Sequence, residues 1–130
     1  MLIDTNVLIR LLTQDPPDQA ARAEALVAAA DPDSLILTEM ILAESAYVLE
    51  SAYRLPRDEV AAKLLEAMGT RQVRVAYPEL LETAIAIYAR HGLDFADSYL
   101  CALDILSDAG PVLSFDRGLD EVPGVERAAP

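Results

Sequence analysis

Met1-Leu-Ile-Asp-Thr-Asn-Val-Leu-Ile-Arg10 contains the change of pattern on which the fold turns. Three apolar residues, Met1 to Ile3, are stopped by Asp4, and the apolar positions Val7, Leu8, Leu11 and Leu12 then recur at helical spacing. The order is strand, acid, helix. In an open parallel α/β sheet ligands gather beyond the carboxyl ends of the strands, so Asp4 stands where such a protein keeps a site. Asp4, Thr5 and Asn6 equally suit a helix N-cap, whose side-chain oxygen accepts from an unpaired backbone N–H, and this stretch alone allows both roles.

Outward from this start the same alternation continues. Asp15-Pro16-Pro17-Asp18 breaks the first helix and opens a second, with Asp15 as its cap, over the alanine-rich segment from Gln19 to Ala30. Ser34 to Leu37 reads as a buried strand, and Thr38 as the cap of a helix from Glu39 to about Tyr53. The inward face of that helix, by spacing, is Ile41, Ala43 or Glu44, Val48 and Ala52. Arg57 to Met68 is the next helix, stopped at Gly69, and Gln72 to Ala76 alternates as an edge strand. Pro78 to Arg90 and Asp94 to Ala109 follow as helices, then a strand from Val112 to Ser114 and a last edge strand through Val125. Strands alternating with helices imply right-handed crossovers, and the expected fold is a three-layer α/β sandwich with a mostly parallel central sheet. The 130 residues are expected to form a single domain, 1–130.

Charge narrows the function. A net charge of −12 argues against the broad basic groove that grips long duplexes, so a polyanionic substrate would need a cation, a basic partner or local arginines. Cys101 is the only cysteine, sits in an apolar helical pattern and suits a reducing compartment. The N-terminus lacks a basic region ahead of its apolar residues, and no uncharged run approaches a membrane span, so the chain reads as cytoplasmic, with no membrane partner.

Four acids carry the functional argument. Glu44 lies three residues after Ile41 and four before Val48, on or beside the apolar stripe; the alternative is a stripe-edge residue that bends out to water. Asp97, with Asp94 as helix cap, suits the first helical turn, where acids meet the helix dipole, yet it also adjoins the packed positions Leu100 and Cys101. Asp104 reads as a boundary residue and Asp120 as loop or cap. Asp116 follows the strand Val112 to Ser114 just as Asp4 follows Ile3. Carboxylates converging in one cleft raise one another's pKa unless a cation sits among them. Oxygen ligands favour Mg²⁺ or Mn²⁺, and a chain with one cysteine and one histidine, His91, lacks zinc's preferred set. A lone histidine at a helix end also disfavours a histidine-brokered nucleophile.

These motifs together resemble the PIN-domain proteins, and within them the VapC toxins of toxin–antitoxin pairs. The matching residues are Asp4-Thr-Asn-Val-Leu-Ile-Arg-Leu-Leu12, Leu42-Ala-Glu44, Asp94-Phe-Ala-Asp97-Ser-Tyr99, and Ser114-Phe-Asp116-Arg-Gly-Leu-Asp120 ahead of Pro123-Gly-Val125. Ser98 departs from the pattern, in which alanine is commoner after the third acid. The resemblance implies that Asp4, Glu44, Asp97 and Asp116 hold Mg²⁺ or Mn²⁺, supported by Thr5, Asn6 and Ser114. It implies an endoribonuclease in which metal-activated water cuts an RNA phosphodiester, with Glu44 as either ligand or base. It further implies a homodimer and a cognate antitoxin. Two other readings stand beside it: a non-catalytic PIN-like interaction domain, and a Mg²⁺-dependent phosphate-ester hydrolase. Hydrolases of the aspartyl-phosphate type want a second aspartate two residues after the first, where this chain has Asn6.

Overall fold

Asp4 ends the first extended segment and caps the helix that follows: its backbone is extended and its Oδ1 accepts from the Val7 N–H at 2.9 Å. The computed structural model describes every residue from Met1 to Pro130, and the chain divides into two compact units, Met1–Ala76 and Tyr77–Pro130. Each combines helices with short parallel strands.

The first unit runs α1 (Thr5–Thr13), α2 (Pro17–Ala29), β1 (Leu35–Ile36), α3 (Glu39–Ser51), α4 (Arg57–Met68) and β2 (Val73–Arg74). β1 pairs in parallel with β2, Leu35 opposite Val73 and Ile36 opposite Arg74. The strand expected over Met1 to Ile3 is reduced to one parallel bridge, Leu2 to Ile36. Two backbone bonds flank it, Ile3 N–H to the Ile36 carbonyl at 3.0 Å and Ile36 N–H to the Met1 carbonyl at 2.7 Å. Because the pairing is parallel, the chain leaves both segments in the same direction. Asp4 therefore opens α1 beside Thr38, which opens α3 with its hydroxyl accepting from the Ile41 N–H at 3.4 Å. That register brings α1 and α3 together.

Burial on α3 corrects the expected inward face. Leu42, Ser45, Ala46 and Leu49 are the buried positions, whereas Ile41 and Val48 are half-buried and Glu44 is exposed. With apolar residues at most positions of Met40 to Leu49, periodicity defined the stripe poorly, and packing against α1 and α4 selected it. Leu8 and Ile9 of α1 and Val60 and Leu64 of α4 are also buried, each such side chain stabilising the fold by roughly 1.5–3 kcal/mol. Asp15 does not cap α2. Pro16 occupies the N-cap without a side-chain bond, and the Asp15 carboxylate instead accepts from the Tyr53 hydroxyl at 3.2 Å.

The second unit runs α5 (Pro78–Arg90), α6 (Phe95–Leu106), β3 (Val112–Leu113), a 3-10 turn (Arg117–Glu121) and β4 (Arg127–Ala128). α5 and α6 pack through Leu81, Ala84, Ile85 and Tyr88 against Phe95, Cys101 and Ala102, with the Tyr88 and Phe95 rings tilted at a centroid separation of 6.2 Å. α6 stops at Leu106 rather than Ala109: Ser107 turns extended while its N–H and its hydroxyl both donate to the Leu103 carbonyl, at 2.9 and 2.6 Å. The last strand lies at Arg127–Ala128, beyond Val125. A turn intervenes, with Gly124 at φ +83° and the Val125 N–H bonded to the Val122 carbonyl at 3.2 Å. β4 pairs in parallel with β3, Val112 opposite Arg127 and Leu113 opposite Ala128. No helix is long and apolar enough to cross a membrane.

Candidate metal centre

In the first unit Asp4 and Thr5 stand at the start of α1, and Thr5 meets Glu44 from the second turn of α3. Asp4 uses one carboxylate oxygen as the α1 cap and keeps the other without a protein partner. Thr5, half-buried in the first turn of α1, donates its hydroxyl hydrogen to Glu44 Oε2. Glu44 thus has an exposed residue position but a fixed carboxylate. Asn6 is exposed and lines a groove along α1 and α2, so it does not join the carboxylates.

In the second unit the acids sit at the start of α6 and after β3. Asp94 caps α6, its Oδ1 accepting from the Asp97 N–H at 2.8 Å. Asp97 is half-buried, and its carboxyl is pushed above the ordinary value of 3.8, first by burial and then by the negative charges of Asp94 and Asp116. The Cys101 thiol, one turn further along α6, is raised for the same reasons, burial first and Asp97 next. Asp116 is the cap of the 3-10 turn: its Oδ1 accepts from the Gly118 N–H at 2.7 Å, and its own N–H donates to Ser114 Oγ at 3.0 Å. Ser114 therefore supports Asp116 through the backbone.

A model of the PIN domain matches residues 1–125. The chain belongs to the PIN domain family. PIN domains are generally metal-dependent nucleases and typically use divalent ions such as Mg²⁺. A search of curated proteins finds no match to this chain. For this PIN domain the donor chemistry fits such an ion. The candidate ligands are all carboxylates, which hard cations prefer, and Asp97 sits amid like charge that a cation would relieve. Glu44 and Asp116, like Asp4, each engage one oxygen internally and keep a second without a protein partner. No three His, Cys, Asp or Glu side chains are grouped closely enough to form a ready cation cage.

Sequence reading missed two participants in this PIN domain. Asp94 is more than the cap of α6, since both its charge and a side-chain hydrogen bond help raise the Asp97 carboxyl. Arg127 was not singled out, yet it forms a two-pronged ion pair with Asp120 at 2.8 and 2.9 Å and donates to the Ser114 carbonyl at 2.9 Å. The Asp120 carboxyl is accordingly held below its usual range, chiefly by its hydrogen bond to Arg127. Its lone appearance in the short tail gave no periodic signal. Asp104 is a tie rather than a ligand, its Oδ2 accepting from the Glu126 N–H at 2.7 Å.

Proposed function

We propose that this PIN domain is a Mg²⁺- or Mn²⁺-dependent endoribonuclease, the VapC-type toxin of a toxin–antitoxin pair. The single observation that carries the reading is Asp97 itself, a half-buried acid in the first turn of α6 whose N–H is capped by Asp94 and whose carboxyl is raised first by burial and then by the charges of Asp94 and Asp116. Four acids, Asp4, Glu44, Asp97 and Asp116, would hold the ion. Bound there, a divalent ion supplies activated water and offsets charge on the phosphoryl oxygens.

The chain's own residues supply position. Asp97 and Asp116 come from two elements whose starts are held by side-chain caps, so neither carboxylate rests on a free loop. Glu44 is oriented by Thr5 and serves as ligand or as the base that takes the proton from attacking water. The expected products are a 5′ phosphate and a 3′ hydroxyl.

The protein partners we propose are a second copy and a cognate antitoxin. A groove of about 400 Å³ along α1 and α2 supports the latter, with exposed Leu2, Val7 and Leu26 between Arg10 and Arg22. Such a lining suits an amphipathic segment with acidic side chains. A cytoplasmic setting accords with the free, buried Cys101.

The test is cleavage of single-stranded RNA with Mg²⁺ or Mn²⁺, with EDTA, and by Asp97→Asn. Loss of cleavage with EDTA, recovery on adding back the ion and loss in Asp97→Asn are expected; cleavage that persists in EDTA would refute the mechanism. Hydrolysis of a simple phosphate ester with intact RNA left over would instead favour the ester hydrolase.

A further inference from the structure

Arg127 lies beyond the segment matched by the family model and belongs to none of the motifs that point to a nuclease. Its surroundings nevertheless converge on Asp116. The guanidinium donates from Nη1 to the Ser114 carbonyl at 2.9 Å, and from Nε and Nη2 to both Asp120 oxygens at 2.8 and 2.9 Å. Ser114 and Asp120 are the two ends of the short segment that carries Asp116. Within it Asp116 is held from both sides, its N–H by Ser114 Oγ and its Oδ1 by the Gly118 N–H.

The same strand is tied to the element that carries Asp97. Immediately before Arg127, the Glu126 N–H donates to Asp104 Oδ2 on α6 at 2.7 Å. β4 also continues the parallel pairing with β3, with the Ser114 N–H bonded to the Ala128 carbonyl at 3.1 Å. The Arg127 side chain is 13% exposed, against 48% for Asp120, so most of its surface is covered by the chain while its planar fork engages a carboxylate and a carbonyl together. A single β4 residue thus bridges the start and end of the Asp116 segment, and its neighbour fastens β4 to α6.

We propose that Arg127 is a positioning residue: by clamping Ser114 to Asp120 it sets where the Asp116 carboxylate stands relative to Asp97. The role assigned to Asp116 rests on the nuclease reading, whereas the clamp is a property of the fold. A lysine would replace it only in part, because one ammonium lacks the planar fork that serves a carboxylate and a carbonyl together.

Amide hydrogen exchange and metal-dependent cleavage, measured on the full chain for Arg127→Ala, Arg127→Lys and Asp120→Ala, separate the two parts. Losing charge-assisted hydrogen bonds should speed exchange at the Gly118 N–H by about tenfold in Arg127→Ala, with a smaller rise in Arg127→Lys. Exchange in α5 should stay unchanged, and the Mn²⁺ concentration for half-maximal RNA cleavage should rise with only a modest change in maximal rate. Exchange at Gly118 within twofold of the parent in a folded Arg127→Ala overturns the clamp. If Arg127→Ala does not fold, Asp120→Ala is read by the same two criteria. If the parent cleaves no RNA, the nuclease reading fails while the exchange result still decides the clamp.

Discussion

Thr5 and Glu44 are 39 positions apart, yet the Thr5 hydroxyl donates to the Glu44 carboxylate because parallel pairing of Leu2 with Ile36 starts α1 and α3 side by side. Thr5→Val keeps the shape and removes the donor. A hydrogen bond to a charged acceptor is worth roughly 1.5–3 kcal/mol when well shielded and less at an exposed pair, so cleavage should fall about tenfold, with Thr5→Ser near the parent. Initial rates at saturating Mn²⁺ measure this, and an unchanged Thr5→Val rate would remove Thr5 from the site.

The raised Asp97 carboxyl makes a prediction about stability. Its folded-state pKa lies above the ordinary 3.8, so the fold favours the protonated form and the ionised form is destabilising at neutral pH. This penalty fades as pH falls through the raised value and is gone below the ordinary one. Asp97→Asn should therefore be more stable than the parent to urea at neutral pH, the difference closing in acid, and only the parent should gain stability from Mn²⁺. A variant less stable at neutral pH would contradict the assignment.

Ser45, next to Glu44 on α3, is fully buried and its hydroxyl has no hydrogen-bond partner. An unsatisfied buried hydroxyl costs about 1–3 kcal/mol, so Ser45→Ala should stabilise the protein by roughly 1 kcal/mol, read as a higher urea midpoint with an unchanged slope.

Gly118 is small for a local reason. A Cβ there would stand 3.0 Å from Asp116 Oδ1 and 3.0 Å from Leu93 Cδ2, so Gly118→Ala must displace the carboxylate or the leucine. Overpacking of this kind costs about 1 kcal/mol or more, and we expect a higher Mn²⁺ concentration for half-maximal cleavage, out of proportion to the modest loss of stability. Equal metal dependence in parent and variant would show that the leucine alone gives way.

Local chemistry made many element boundaries legible. The predicted helices Arg57–Met68 and Pro78–Arg90 agree with the structure, and Thr38 and Asp94 cap α3 and α6 as expected, because prolines and capping side chains act within a turn of themselves. The placement of two acids was legible for the same reason: Asp4 and Asp116 each follow an apolar extended run and open a helical turn. The linear pattern thus determined where helices start and which carboxylates stand at their starts.

Tertiary structure decided what those carboxylates touch. The buried face of α3 fell on Leu42, Ser45, Ala46 and Leu49, since a helix apolar at most positions is oriented by its neighbours rather than by its own period. Asp15 went to Tyr53 instead of capping α2, and Arg127 closed the Asp116 segment from a strand that lies just beyond the one expected through Val125. Each is a contact between groups distant along the chain or unpatterned within it. Burial and strand register, which depend on the whole packed unit, select such contacts, and no short stretch of residues encodes them.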